Sequence, residues 1–269
     1  MGRLHVATFN VRYTADRWAA RLPLIRAAMA SLQPDVIGLQ EVIYPLQQDR
    51  ALATAGPARY RMIRGWAYEV EMGNSLLVAE RLGAVPLERL DLGRARSATG
   101  AVVTSMDGTP VVVAVTEFHH RPEDGPTRAA QAAQLVDWLD AAPTNGAAIV
   151  LADCNETPGR AAGRVMTAAG FRSAHAEANG HEPKATWPSG SSAERSGGRA
   201  RRQGGWLWEA EAGVEPAGCY DYIWVRGGVT VESCGLAFER PAAHDPTLYP
   251  SDHFGLAAVV AVGRGGDRT

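Results

Sequence analysis

Short apolar runs alternate along the chain with longer amphipathic stretches. Leu4 to Phe9 predicts a strand at the front. Trp18, Leu22, Ile25, Met29 and Leu32 recur at helical spacing, so residues 18–32 read as a helix with one apolar face. Gln33-Pro34-Asp35 ends it, because the residue before a proline resists helical geometry. Val36 to Leu39 predicts a strand, Leu46 to Ala55 a helix, and Tyr60 to Ile63 and Asn74 to Ala79 two more strands. Ala101 to Ser105 and Val111 to Thr116 flank Asp107-Gly108, the mark of a hairpin between β-branched runs. Arg128 to Leu139 is an alanine-rich helix. Ala148 to Ala152 is wholly apolar, as in a strand buried on both faces. A helix over Arg160 to Ala169 stops at Gly170, and Tyr220 to Val225, Val229 to Leu236 and Phe254 to Val262 complete the strands.

Hairpins mixed among strand–helix–strand units favour an α/β sandwich with mixed sheets over a purely parallel, doubly wound sheet. No domain-separating linker stands out before residue 177, so residues 1–263 are expected to form a single domain. Residues from about 177 to 219 are irregular, rich in Gly, Ser, Pro and Arg, and carry Trp206 and Trp208. A loop that long inside a compact domain is uncommon and often functional. The tryptophan pair reads either as a lid over a ligand or as core packing, and Trp187, before Pro188, as structural. Residues 264–269 are expected to be a disordered tail.

The composition, 46% hydrophobic and 21% charged over 269 residues, is that of a soluble globular protein. A net charge of −2 argues against a large non-specific nucleic-acid footprint. The basic run is Arg195 to Arg202, whose plain reading is a solvated loop. Cys154, Cys219 and Cys234 are an odd set without a close pair, poor material for a disulfide framework or a zinc site. The chain enters a strand at once, without a long apolar leader. It has no uninterrupted apolar run long enough for a membrane span, so a reduced, cytoplasmic protein is expected. No obligate protein partner is evident.

Several of the apolar runs end in a hard oxygen ligand, an amide or an imidazole, which a hydrophobic core does not require. Asn10 and Glu41 close the first two strands, Asp153 closes the run at Leu151-Ala152, and Asp252-His253 precede the last strand. Phosphoester cleavage needs a cation to neutralise the phosphate and a base to activate water. Magnesium prefers few carboxylates and keeps several waters. Glu41 suits such a ligand, with Asn10 as ligand or water-orienting amide. Asp153 and Asn155 are two apart and leave one face of a strand, where acid and amide can share a water. Asp221, an acid among apolar neighbours, wants a partner, and His253 is the natural one.

Thr8-Phe9-Asn10-Val11-Arg12, Pro34 to Val42 (with Gln40-Glu41-Val42), Gly73-Asn74-Ser75-Leu76-Leu77, Leu151 to Pro158, Asp221-Tyr222-Ile223 and Ser251-Asp252-His253 together resemble the motif series of the endonuclease/exonuclease/phosphatase superfamily, the DNase-like, sphingomyelinase-like fold. The resemblance runs from about residue 3 to 262. It implies a four-layer α/β/β/α sandwich of two mixed β-sheets flanked by helices. It implies Mg²⁺ or Mn²⁺ at Glu41 and Asn10 with Asp252 near the metal. It implies Asp153 and Asn155 at the attacking water and phosphate, His253 oriented by Asp221, and Asn74 and Arg12 at the phosphate.

One departure matters. Family members usually carry Thr-His-Leu at the end of the middle strand, where this chain has Thr116-Glu117-Phe118-His119-His120. Strand alternation puts Glu117 and His119 on one face and His120 on the other, which favours Glu117 with His119 at the site. Ala152 and Cys154 also replace a common glycine and a common aromatic.

The leading expectation is a divalent-metal phosphoester hydrolase, most simply a phosphodiesterase of a small-molecule or lipid-type phosphoester. A Mg²⁺-dependent nuclease is the first alternative, with Arg59, Arg61, Arg64 and the 195–202 run as a basic groove. A site rebuilt for binding or non-hydrolytic chemistry, with Glu117 as its mark, is the second.

Overall fold

The computed structural model describes residues 2–15, 17–65, 71–144, 146–188 and 217–263. Trp206, Trp208, the basic run at 195–202 and the tail at 264–269 lie outside the described residues. The elements begin β1 (Gly2–Asn10), α1 (Trp18–Leu32), β2 (Val36–Ile43), α2 (Gln48–Ala53), β3 (Tyr60–Arg64) and β4 (Met72–Ala79). They continue β5 (Gly83–Pro86), β6 (Leu90–Gly93), β7 (Arg96–Thr104), β8 (Pro110–Glu117), α3 (Gly125–Asp140) and β9 (Ala148–Asp153). They close with α4 (Ala161–Ala168), β10 (Arg172–Ser173), α5 (Ala174–Asn179), β11 (Asp221–Arg226), β12 (Val229–Ala237) and β13 (Gly255–Val262).

The first sheet runs β12-β13-β1-β2-β4-β3, and the second β10-β11-β9-β8-β7-β5 with β6 against β7. The β1–β2 and β8–β9 pairs are parallel and the other pairings antiparallel, so both sheets are mixed. Each parallel pair is joined through a helix, α1 or α3, as a crossover requires.

Strand alternation sorts the side chains into three cores. Leu4, Val6, Val36, Leu76 and Val78 of the first sheet meet Val113, Val115, Ile149, Leu151 and Ile223 of the second. The opposite face of the first sheet packs Phe9, Ile37 and Leu39 on Ile25 and Met29 of α1 and Leu52 of α2. The opposite face of the second packs Val112, Ala114, Val150 and Ala152 on Leu135 and Leu139 of α3 and Met166 of α4. The result is the expected α/β/β/α layering. The sheets approach closely at Gly38, where a Cβ would stand 2.7 Å from the Leu151 Cβ.

The differences from sequence have local causes. β5, β6 and β10 are too short for a period of two to reveal them. β7 starts at Arg96, ahead of the expected Ala101, since Arg96-Ser97-Ala98-Thr99-Gly100 is too polar to signal a strand, and a two-residue strand, Arg172–Ser173, comes after Gly170. The region expected to be irregular from 177 begins with the last turn of α5, which Gly180 ends in the left-handed conformation at φ 78°. Cys154 and Cys219 are buried, Cys234 is half-buried, and all are free. No helix among the described residues is long and apolar enough to cross a membrane.

Candidate active site

Topology brings the polar strand ends to one edge. β1 and β2 are parallel with Asn10 beside Gln40, and β8 and β9 are parallel with Glu117 beside Asp153. β11 runs the other way, so its first residue, Asp221, pairs with Asp153. Thus C-terminal ends of parallel strands and the N-terminal end of an antiparallel one share the rim.

Hydrogen bonds stitch the two sheets together there. Asn10 Nδ2 of the first sheet donates to Asp153 Oδ2 of the second at 2.9 Å. His253, just before β13, holds Nδ1 2.9 Å from Asp221 Oδ2 and Nε2 4.0 Å from Asp153 Oδ2. One ligand atom from each of Asp153, Asp221 and His253 lies within 4.8 Å of the others. Below them Gln40 Nε2 donates to the Leu151 carbonyl at 3.2 Å.

Glu41 reaches the rim through a β-bulge. The β2–β4 register shifts between Leu39 and Val42, and Glu41 takes φ 55° there. Asp252 lies beside Arg12, 3.4 Å from its Nη1, and accepts from Trp187 Nε1 at 3.2 Å. Trp187, read from sequence as merely structural, therefore touches the site; its pairing with Gly218 across the undescribed segment gave no local signal. Arg12 turns in at φ 57°, its backbone N–H donating to Asn10 Oδ1 at 2.8 Å. Asn74, inside β4, donates Nδ2 to the Ser97 carbonyl at 2.9 Å and keeps a buried Oδ1 without a partner among the described residues.

Two expectations resting on strand alternation change. β9 ends at Asp153, so Asn155 is not on a strand. It sits in a turn at φ 48°, its backbone N–H donating to Asp153 Oδ1 at 2.9 Å and its amide to the Phe118 carbonyl at 3.0 Å. β8 likewise ends at Glu117, so alternation does not carry His119 to Glu117's side. His119 Nε2 lies 3.4 Å from Asp124, and the ring lines a cavity of about 280 Å³ with Arg94, Arg121, Glu123 and Asp124. Glu117 alone of the pair faces the acid cluster. Its Oε1 lies 3.0 Å from Arg96 Nη2, a residue that sequence reading missed.

The electrostatics follow from crowding in a dry place. Burial raises the Glu41 carboxyl, and nearby Asp252 adds to this; His253, an Asn10 hydrogen bond and Arg96 work against it. Burial, then Asp221, push Asp153 up to about 7. Burial pushes Glu117 up to about 8, with Arg96 opposing and Glu41 and Asp153 assisting. Burial would lower the His253 imidazole, but Asp221 and Asp153 outweigh it and hold its pKa well above the ordinary value. Asp252 goes the other way: burial would raise it, and Arg12 and His253 outweigh that.

Two packed mixed sheets with helices on their outer faces make the fold an α/β/β/α sandwich, and the rim of acids around a buried Asp–His pair lies at one edge of it. A model of the endonuclease/exonuclease/phosphatase family matches residues 7–253, and the chain belongs to that family. Members of the family are metal-dependent phosphoester hydrolases. Among solved structures, the chain is similar to an endonuclease/exonuclease/phosphatase from Bacteroides vulgatus, at 19% identity and TM-score 0.74, covering 98% of this chain and 100% of that one. It is similar to D. rerio TDP2 complexed with a single-strand DNA product, at 17% identity and TM-score 0.71, covering 97% and 99%. It is similar to a mannosyl-6-phosphatase of Bacteroides thetaiotaomicron, at 15% identity and TM-score 0.72, covering 96% and 99%. No curated protein sequence matches.

Proposed function

We propose that the chain is a divalent-metal-dependent phosphodiesterase acting on a small-molecule or lipid-type phosphoester. The observation that carries this is His253, buried between Asp221 and Asp153, with Asp153 held in turn by the Asn10 amide. Asp221 fixes the imidazole and supports its charge, so Nε2 presents a proton donor to an anionic centre. Asp153, raised toward neutrality, is suited to take a proton from a water held beside Asn155.

The donor set fits Mg²⁺ or Mn²⁺. Glu41, Asn10 and Asp252 offer hard oxygens, and the burial that raises Glu41, with the Asp252 charge adding to it, is what a bound divalent cation would offset. When bound there, the metal supplies charge neutralisation of the phosphoryl oxygens. Arg12, Asn74 and Asn155 are the substrate-binding residues in this reading.

A duplex-sized basic groove has little support among the described residues. Arg64 is spent on Asp49, 2.7 Å away, and Arg61 donates to the Ala84 carbonyl. Bis-(p-nitrophenyl) phosphate should turn over with Mg²⁺ or Mn²⁺ and stop with EDTA, and Asp153→Asn should remove the activity. Turnover that ignores EDTA sinks the proposal. Preference for DNA with a steep loss of binding in salt would move it to the nuclease alternative.

A further inference from the structure

Where the resemblance leads to the expectation of an imidazole at the end of β8, this chain has Glu117, and a cation stands beside it. It comes from the neighbouring strand. Arg96 opens β7, and its Nη2 lies 3.0 Å from Glu117 Oε1 and donates to His120 Nδ1 at 2.9 Å. Burial and the Arg96 charge push His120 down to about 4, so its ring is neutral and can accept that bond. The backbone beside Arg96 is pinned as well. The Ser97 carbonyl accepts from Asn74 Nδ2 at 2.9 Å and from Thr116 Oγ1 at 3.2 Å. Arg96 is thus held from two sides, and the backbone carbonyl of its neighbour Ser97 is tied to Asn74.

Arg96 Nε, a donor, is buried without a hydrogen-bond partner among the described residues, and so is Asn74 Oδ1, an acceptor whose own amide nitrogen holds the carbonyl of Ser97, the residue after Arg96. Buried polar groups are normally satisfied, and such exceptions need a reason. The Arg96 side chain is 12% exposed, open enough for a ligand to reach. Its charge also lowers both Glu41 and Glu117, so it faces the acid cluster. An acidic rim that must receive a phosphate needs a fixed cation, and a guanidinium fork matches phosphoryl oxygens.

We propose that Arg96, clamped between Glu117 and His120, is a substrate-binding residue that donates to a non-bridging oxygen of the phosphoryl group. The proposal rests on the phosphoesterase reading above. It gives Glu117 a positioning role, that of aiming Arg96.

The test is inorganic phosphate binding to the full chain in Mg²⁺, followed by calorimetry, with Mg²⁺ affinity measured separately. Arg96→Ala should weaken phosphate binding roughly 10- to 100-fold, as loss of a charge-assisted hydrogen bond does, and leave Mg²⁺ affinity unchanged. Added guanidinium ion should restore part of the binding, which a merely structural role would not allow. If Arg96→Ala fails to fold, Arg96→Gln gives the same comparison with a neutral donor in place. Phosphate binding that is undetectable in the unaltered chain, or unmoved by these substitutions, overturns the proposal. So does a loss of Mg²⁺ affinity that accounts for the lost phosphate binding, since Arg96 would then serve Glu41. None of these readouts uses turnover, so an inactive enzyme would sink the hydrolase reading while phosphate binding still decides the role of Arg96.

Discussion

His253 Nδ1 lies 2.9 Å from Asp221 Oδ2, and the pair joins the second sheet to the segment that leads into the first. Asp221 opens β11 of the second sheet, and His253 lies one residue short of β13 of the first, with Phe254 between them. The Asn10–Asp153 bond spans the same gap. The polar centre is therefore a seam between the two sheets, and its geometry depends on how the sheets pack.

Asp221→Asn keeps the shape of that pair and removes its charge. The imidazole then loses the group that holds it protonated and aligned. Turnover of a p-nitrophenyl phosphodiester is expected to fall on the order of 10²–10⁴-fold, with an unchanged circular dichroism spectrum. A turnover number within threefold of the parent's would show that the pair is not part of the chemistry.

Asn10→Ala strips the amide from Asp153 Oδ2 and a candidate oxygen from the metal site together. Mg²⁺ affinity is expected to drop roughly 10- to 100-fold, as when a partner that orients a ligand is lost, and turnover should drop with it. Calorimetric titration of Mg²⁺ checks this. Unaltered Mg²⁺ affinity would take Asn10 out of the ligand set.

Gly38→Ala tests the packing beneath the seam. The added Cβ would stand 2.7 Å from Leu151 Cβ and 2.9 Å from Val115 Cγ2, forcing β2 away from the second sheet. An overpacking cost of about 1–3 kcal/mol is expected, read as a lower urea midpoint at unchanged slope. Activity should fall too, because Gln40, two residues on, ties the sheets through the Leu151 carbonyl.

His120 supplies a pH prediction. Its pKa is lowered to about 4, chiefly by burial and then by Arg96, below the ordinary 6.5. Between those values the unfolded chain binds a proton that the folded chain does not. Stability from this group is therefore full above about pH 6.5 and declines as pH falls toward 4. His120→Gln keeps an oxygen to accept from Arg96 and removes the titration. Its melting temperature should decline less steeply than the parent's from pH 6.5 to 4; parallel curves would contradict the burial of a neutral ring.

Much of the site was legible because its residues sit at the ends of apolar runs. Asn10, Glu41, Asp153 and Asp252-His253 each mark where a strand stops being core, and the parallel pairing of β1 with β2 and of β8 with β9 brings the C-terminal ends of each pair to one rim. The pairing of Asp221 with His253 could be anticipated because an acid among apolar neighbours must find a positive partner. Alternation misled beyond the strand ends: His119 and Asn155 follow the last strand residues, Glu117 and Asp153, where a period of two no longer holds.

The sequence by itself determined the layers, since periods of two and 3.6 decide which face of each element is apolar, and it marked the positions where polar groups replace core. Only the tertiary structure decided which of those groups meet. Arg96 lies in a polar stretch with no periodic signal, and its approach to Glu117 and His120 depends on β7 pairing with β8 in a particular register. Trp187 reaches Asp252 through a bridge to Gly218, and Glu41 turns inward at a bulge. Registers, bulges and long-range bridges arise from hydrogen bonding between distant segments, for which a local pattern holds no information.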